Sequence, residues 1–272
     1  MIYTAFVNTP LDRTVVKPGP GAEHHLVAAV PIAAGEPVLV EAPLVDVRLK
    51  NHYEFGAYSW DLVDRLLDDR ELLQRYNRCR LLASTFLLDP HDLAAEAALV
   101  RKHKKSRQLV RELFFNVGTN NIGVLDSQRA VVGYAVYEKL SRADHSCLPN
   151  AYLQPADALK AMSSLLAHRD IRAGEAITWS YFREDEFLGA SYEQRNFGLV
   201  NVFRFVCRCV RCQQEQPAHI RQLKSTAEKV AYFDQLIEAE ALELARTPGG
   251  LAQVLASSPM ALHRAELRKR SG

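Results

Sequence analysis

At 272 residues, with 48% hydrophobic and 24% charged side chains, the chain has enough apolar material for a sizeable core, in one elaborated domain or two small ones. A net charge of +2 and a pI near 8.2 carry no one-sided basic excess, which argues against direct nucleic-acid binding. Five cysteines, an odd number, argue against a disulfide framework. With no basic start leading into an apolar run and no stretch long enough to span a membrane, a soluble protein of a reducing intracellular compartment is expected, with no membrane partner.

In chain order, residues 8–22 are rich in Pro, Gly and polar groups and predict a loop. Leu26 to Val30 and Pro37 to Glu41 predict two strands joined through a turn at Ala33-Ala34-Gly35-Glu36. From Ala57 to about Leu88 the apolar spacing turns helical, with Leu62, Leu66, Leu67, Leu72 and Leu73 on one stripe and Cys79 as a core residue. A second helix is expected from Asp92 through Phe115, with Leu99, Leu109, Leu113 and Phe114 facing inward. Its basic run, Arg101 to Arg107, suits a solvated face.

Strand character returns at Ile122 to Leu125 and Val131 to Tyr137, around a polar turn at Asp126. Further strands are expected at Ala151 to Leu153 and Met162 to His168, with His168 an ordinary strand residue. Ile171 to Thr178 repeats the turn-then-strand form of residues 32–40. One long amphipathic helix, His219 to Arg246, is expected before Thr247-Pro248-Gly249-Gly250, and a short helix with a basic tail closes the chain.

The chemistry is concentrated in Arg142-Ala143-Asp144-His145-Ser146-Cys147-Leu148-Pro149-Asn150, where charge, imidazole, hydroxyl and thiol crowd between apolar runs. Cys147 finds three companions in Cys207-Arg208-Cys209-Val210-Arg211-Cys212, and four thiolates are what a closed tetrahedral zinc site requires. Three cysteines in six residues do not all hide as small hydrophobes, so Cys147, Cys207, Cys209 and Cys212 are the candidate ligands of one structural Zn2+.

His145-Ser146-Cys147-x-Pro149-Asn150, Gly174-Glu175-x-Ile177-Thr178-x-x-Tyr181 and Phe205-x-Cys207-x-Cys209-x-x-Cys212 together resemble, in order, the three signatures of SET-domain protein lysine methyltransferases. The likeness covers roughly residues 20–215 and is greatest to the SET-and-MYND subgroup, with its split SET domain and post-SET tail. The insertion offers only Cys79 and scattered histidines, too few ligands for a MYND finger.

The resemblance implies an α+β SET fold of short β-sheets with pseudoknot-like C-terminal threading. It divides the chain into an N-terminal SET part (20–50), a helical insertion (51–117), a C-terminal SET part (118–206), a zinc-binding post-SET tail (207–217) and a C-terminal helical cap (218–272). It implies S-adenosylmethionine as methyl donor, a histone or non-histone protein lysine as acceptor, a monomer, and a cytoplasmic or nuclear location. By position, Tyr181 resembles the catalytic tyrosine; Asn120, Ser141, His145, Tyr181 and Phe205 resemble cofactor contacts; Tyr181 and Phe203 resemble walls of the substrate channel.

Four positions depart from the family pattern. Glu23 and His25 stand where it has glycines that let backbone approach the cofactor, Asp144 stands for an asparagine, and Phe203 for a channel tyrosine. Strain at Glu23 and His25, relieved by restoring glycine, is therefore expected to weaken cofactor binding. Two other readings stay open: a degenerate SET domain kept as a zinc-stabilised protein-binding scaffold, and a nucleic-acid-binding zinc protein, the latter against the charge balance.

Overall fold

Ile32-Ala33-Ala34-Gly35-Glu36 and Ile171-Arg172-Ala173-Gly174-Glu175 build the same turn twice. In each, the glycine sits at φ near +80°, where a Cβ would be strained, and the glutamate carboxylate accepts the N–H three residues back, at 3.1 Å in both. The two turns are joined by reciprocal Ile32–Ile171 backbone hydrogen bonds of 2.8 and 2.9 Å. These details come from a computed structural model that describes residues 11–18, 24–49, 57–79, 81, 88, 90–126, 128, 130–157, 162–182, 187 and 189–247.

Contacts divide the α+β chain into two units, residues 1–145 with 149–180, and residues 146–148 with 181–272. In the first, β1 (Leu11–Asp12), β4 (Pro37–Glu41), β10 (Met162–Ala167) and β9 (Ala151–Asp157) form an antiparallel sheet in the order β1-β4-β10-β9. β2 (Thr14–Pro18) pairs with β3 (His24–Ala28), and β5 (Val45–Arg48), β7 (Val131–Val136) and β6 (Ile122–Leu125) make a third sheet. β8 (Asp144–His145) runs parallel to β11 (Thr178–Trp179). Leu26, Ile32, Val38, Leu165, Ile171 and Ile177 are buried among these strands.

Helices α1 (Ala57–Asp68), α2 (Arg70–Cys79), α3 (Pro90–His103) and α4 (Arg107–Asn120) form a second core of the same unit. The leucine stripe behaves as expected: Leu62 and Leu66 are fully buried and Leu67 nearly so, each contributing about 2 kcal/mol of burial. Trp60 stacks on Phe114 at 3.8 Å, and its indole N–H is satisfied by Asp92 at 2.8 Å. Cys79 is buried in this core, as expected.

In the second unit, α5 (Tyr192–Phe203) packs against α8 (Thr226–Ala245) through Leu199, Val200, Phe233 and Ile237, with the short helices α6 (Val210–Glu215) and α7 (Ala218–Arg221) between them in sequence. Arg204 closes α5 in the left-handed conformation at φ 64°, and its guanidinium forks onto the Asp234 carboxylate at 2.5 and 2.6 Å.

Several expectations need correction. The predicted loop over 8–22 contains β1 and β2, because Val15 and Val16 pair with Val27 and Leu26 of the next strand, β3, and their β-branched side chains outweigh the Pro/Gly signal around them. β3 and β4 are strands but do not pair with each other; β3 pairs with β2, and β4 with β1 and β10.

Three expected long helices are interrupted. Asp69 accepts the N–H groups of Glu71 and Leu72 and starts α2 anew; Lys104 turns left-handed and Ser106 caps α4; Ser225 and Glu228 form a capping box that starts α8. The first helix of the second stretch begins at Pro90, two residues before Asp92. Glu23 and the closing short helix and basic tail lie outside the described residues. Among the described residues, no helix is long and apolar enough to cross a membrane.

Candidate functional site

The signature stretch is shared by the two units, with Asp144, His145 and Asn150 in the first and Cys147 in the second. Leading into it, a single turn of 3-10 helix at Leu140–Arg142 is held by Glu41, whose carboxylate accepts the N–H groups of Lys139 and Leu140. Burial pushes the Glu41 pKa up even against those bonds. Ser141 Oγ accepts the Tyr137 N–H at 3.0 Å and donates to the Asn120 carbonyl at 2.9 Å, so two of the predicted cofactor residues are tied together. The Asn120 amide itself donates to Asn116 O at 2.7 Å. His145 is buried on β8, opposite Trp179 of β11.

Asn150 is the clamp of this region. Only 2% exposed, it donates to Ala176 O at 2.7 Å and to Glu175 Oε1 at 3.1 Å, and accepts the Thr178 N–H at 2.8 Å. It thereby binds the Gly174-to-Tyr181 signature to the His145-to-Asn150 signature. Burial pushes Glu175 up, but the Arg169 guanidinium, the Arg172 N–H and the Asn150 amide outweigh it and hold its pKa at about 2.

Two of the departures from the family pattern meet. His25 Nδ1 and Asp144 Oδ2 lie 2.5 Å apart, joining β3 to β8. The expected strain at His25 is not found: it sits in regular antiparallel register opposite Lys17, and among the described residues the non-glycine positions with positive φ are Lys104 and Arg204. Nearby in sequence, His24 Nδ1 is buried without a hydrogen-bond partner, as is Ser180 Oγ just before Tyr181. Both orphaned atoms belong to segments that the resemblance assigns to the cofactor region.

In the second unit the predicted aromatic residues converge. The Tyr181 ring meets Phe203 edge-on at 5.0 Å and Phe205 at 6.3 Å, and Phe182 lies 5.6 Å from Phe203 and 4.5 Å from Phe187. The left-handed cap at Arg204 is what turns Phe205 back after Phe203 ends α5. All of these rings except Phe187 stand at or beside the ends of two of the signatures, so the positions that the family resemblance marks, Tyr181, Phe203 and Phe205, are neighbours.

The four cysteines also converge. The Sγ atoms of Cys147, Cys207, Cys209 and Cys212 all lie within 4.8 Å of one another, with Cys147 and Cys212 at 3.5 Å. Zinc–sulfur bonds of about 2.3 Å place tetrahedral sulfurs about 3.8 Å apart, so the donor set fits zinc. Cys209 caps α6 and Cys212 lies in its first turn, which points both into the cluster. Hydrogen bonding from Cys147 lowers the Cys212 thiol to about 7, while that of Cys207 raises Cys147.

A second grouping, Asp64, Asp68 and His103, is also within 4.8 Å, but Lys102 Nζ already sits 2.7 Å from Asp64 and 3.2 Å from Asp68. It is a surface ion-pair network that absorbs part of the basic run. Arg195 and Asn196, both fully buried beside the cysteines, had no spacing signal; the one cue was two polar residues on a helix that buries its neighbours Tyr192, Leu199 and Val200.

The chain belongs to the SET domain family, whose profile matches residues 23–182, more than half of it. It is 34% identical over 115 residues to "Histone-lysine N-methyltransferase SET5" of Meyerozyma guilliermondii, covering 42% of this chain and 22% of that protein. It is 32% identical over 107 residues to "Histone-lysine N-methyltransferase SMYD3" of Homo sapiens, covering 38% and 23%. With "Histone-lysine N-methyltransferase ATXR4" of Arabidopsis thaliana the identity is 40% over 85 residues, covering 30% and 23%. The chain thus spans less than a quarter of the length of these curated relatives.

Proposed function

We propose that this SET domain is a protein-lysine N-methyltransferase that uses S-adenosylmethionine and acts on a lysine of a histone or non-histone protein. The observation that carries the proposal is the convergence of Tyr181, Phe203 and Phe205 in one aromatic cluster on a chain of this family. When bound, S-adenosylmethionine supplies a methyl group on a positively charged sulfur.

The chain's part is to hold and prepare the lysine. Aromatic walls disfavour a charged ammonium and so lower the lysine pKa from about 10.4 toward the free amine. The Tyr181 hydroxyl is assigned to orient that amine, Phe203 to line the channel, and Phe205 to stack on adenine. Asn120, Ser141 and His145 would hold the polar ends of the cofactor, and the orphaned His24 Nδ1 and Ser180 Oγ are consistent with a polar ligand in that region.

Cys147, Cys207, Cys209 and Cys212 are assigned to one structural zinc in a post-SET tail over 207–217, with 218–272 as a C-terminal helical region. A cytoplasmic or nuclear location follows from such a substrate and from thiolate ligands.

Two measurements test the proposal. Calorimetric titration with S-adenosylmethionine and its demethylated product should show binding. Tyr181→Phe should leave the fold and zinc content intact while lowering methyl transfer by orders of magnitude, because its hydroxyl acts mainly in the transition state. An unchanged rate would reduce Tyr181 to a packing residue. The scaffold alternative draws on the His25–Asp144 bond, which fills positions where the family pattern has glycine and asparagine; absence of cofactor binding at millimolar concentration would favour it.

A further inference from the structure

Among the described residues Arg195 is the largest fully buried side chain, at 0% exposure. A guanidinium never loses its charge, and removing it from water costs several kcal/mol unless matched negative charge surrounds it. Its Nη1 donates to the Ala190 carbonyl, which is neutral. Its Nη2 lies 2.6 Å from Glu215 Oε2, but Glu215 is half-exposed and its other oxygen accepts from Arg211 Nε at 2.8 Å. One shared, solvated carboxylate is a poor match for a fully buried cation.

Nη2 also points at Cys212 Sγ, at 3.8 Å. Four thiolates around one divalent zinc leave two negative charges, and such a dianion is itself costly to bury. The neighbouring Asn196 completes the arrangement: its Oδ1 accepts the Cys207 N–H at 2.8 Å, and its Nδ2 donates to Tyr192 O at 3.0 Å and approaches Cys212 Sγ at 4.0 Å. Consecutive residues of α5 thus present a cation and an amide to the same ligand, Cys212, and the amide also holds the Cys207 backbone.

We infer that Arg195 is the built-in counter-charge of the cysteine cluster, with Asn196 orienting Cys207. Arg195 raises zinc affinity by stabilising the thiolates in their charged form. It is a positioning residue, and its role rests on the zinc assignment made above. The fully buried cation and the tetrathiolate beside it account for each other's burial.

The test is zinc content by atomic emission and zinc affinity by competition with a chromophoric chelator, on the whole chain. Wild-type protein should hold one zinc per chain; well under one equivalent overturns the zinc assignment and this inference with it. Arg195→Met, similar in length and uncharged, should weaken zinc binding about 10- to 100-fold, the range seen when outer-shell partners of metal ligands are removed. Arg195→Lys should recover part of that loss and serves where the methionine variant does not fold.

Glu215→Gln separates the two roles of Arg195. If its purpose is the counter-charge, this variant leaves zinc affinity unchanged or tighter, because Arg195 then faces the cluster alone. A loss with Glu215→Gln equal to that with Arg195→Met, or no loss in Arg195→Met with one zinc bound in the wild type, overturns the inference while leaving the zinc assignment standing.

Discussion

Within the seven residues Asp144 to Asn150 the chain uses two different means of fixing structure. On the Asn150 side, a neutral amide is saturated by backbone and side-chain hydrogen bonds that tie two signatures together. On the Cys147 side, four sulfurs converge beside a buried arginine, on the short helix α6 and against α5. The first unit is knit by sheets that satisfy their own backbone, whereas the second consists of helices, two of them only six and four residues long, which do not persist alone. A hydrogen-bonded clamp is folded by the chain itself; a cluster of four cysteines, on the zinc reading proposed above, is folded by the metal.

The largest effect that follows is on zinc removal. A strong chelator, or Cys207→Ser, should unfold the region from Tyr192 to Arg221, because binding free energy at a structural zinc site is folding free energy, of order 10 kcal/mol. Hydrogen exchange should show lost protection there while β4, β9 and β10 stay protected. Equal loss in both units would erase the distinction between them.

Next in size, Asn150→Ala should destabilise the first unit by about 2–4 kcal/mol, since it removes three hydrogen bonds and leaves the Thr178 N–H buried without its acceptor. Zinc content should not change. A thermal melt displaced by less than about 2 °C would show that the clamp carries little, given that about 1 kcal/mol shifts a domain of this size by 2–4 °C.

That division also explains what was legible in the sequence. The cysteines stood out because three of them fall within six residues, Cys207 to Cys212, and Tyr181, Phe203 and Phe205 because the family signatures mark their positions. The glycine-glutamate turns were legible as a repeat, and each proves to need its glycine. The pairing of β2 with β3 was not legible, because Val15-Val16 lies in a stretch that reads locally as loop.

Helix starts are written in the chain as well: Ser191 to Gln194 and Ser225 to Glu228 are capping boxes, and Asp69 is a cap inside what apolar periodicity alone reads as one helix. Arg195 and the His25–Asp144 contact were beyond reach because both depend on residues distant in sequence.

A smaller effect distinguishes the clamp by pH. Glu175 has a folded pKa of about 2, below its ordinary 4.5, so its contribution is fully present above pH 4.5 and is lost as pH falls toward 2. Glu175→Gln should therefore be less stable than wild type at neutral pH, with the difference shrinking through that window. If the gap between the two stays constant from pH 6 to pH 2.5, Glu175 is not held ionised by Arg169 and Asn150.

The smallest effect concerns the other side of Asp144. Strain relief at His25 would make His25→Gly tighten S-adenosylmethionine binding, but His25 occupies an ordinary strand position with no strain to relieve. What the change removes is a partly exposed contact to Asp144, worth under about 1 kcal/mol, and glycine adds a backbone penalty of similar size within β3. Cofactor affinity should accordingly stay within about fivefold of wild type or weaken slightly. The double variant His25→Gly with Asp144→Asn should behave as the sum of the singles once their mutual contact is subtracted. Calorimetric titration decides it: tightening of tenfold or more on His25→Gly would mean that the imidazole obstructs the cofactor, and the pair would then be a barrier in the site rather than a tie between β3 and β8.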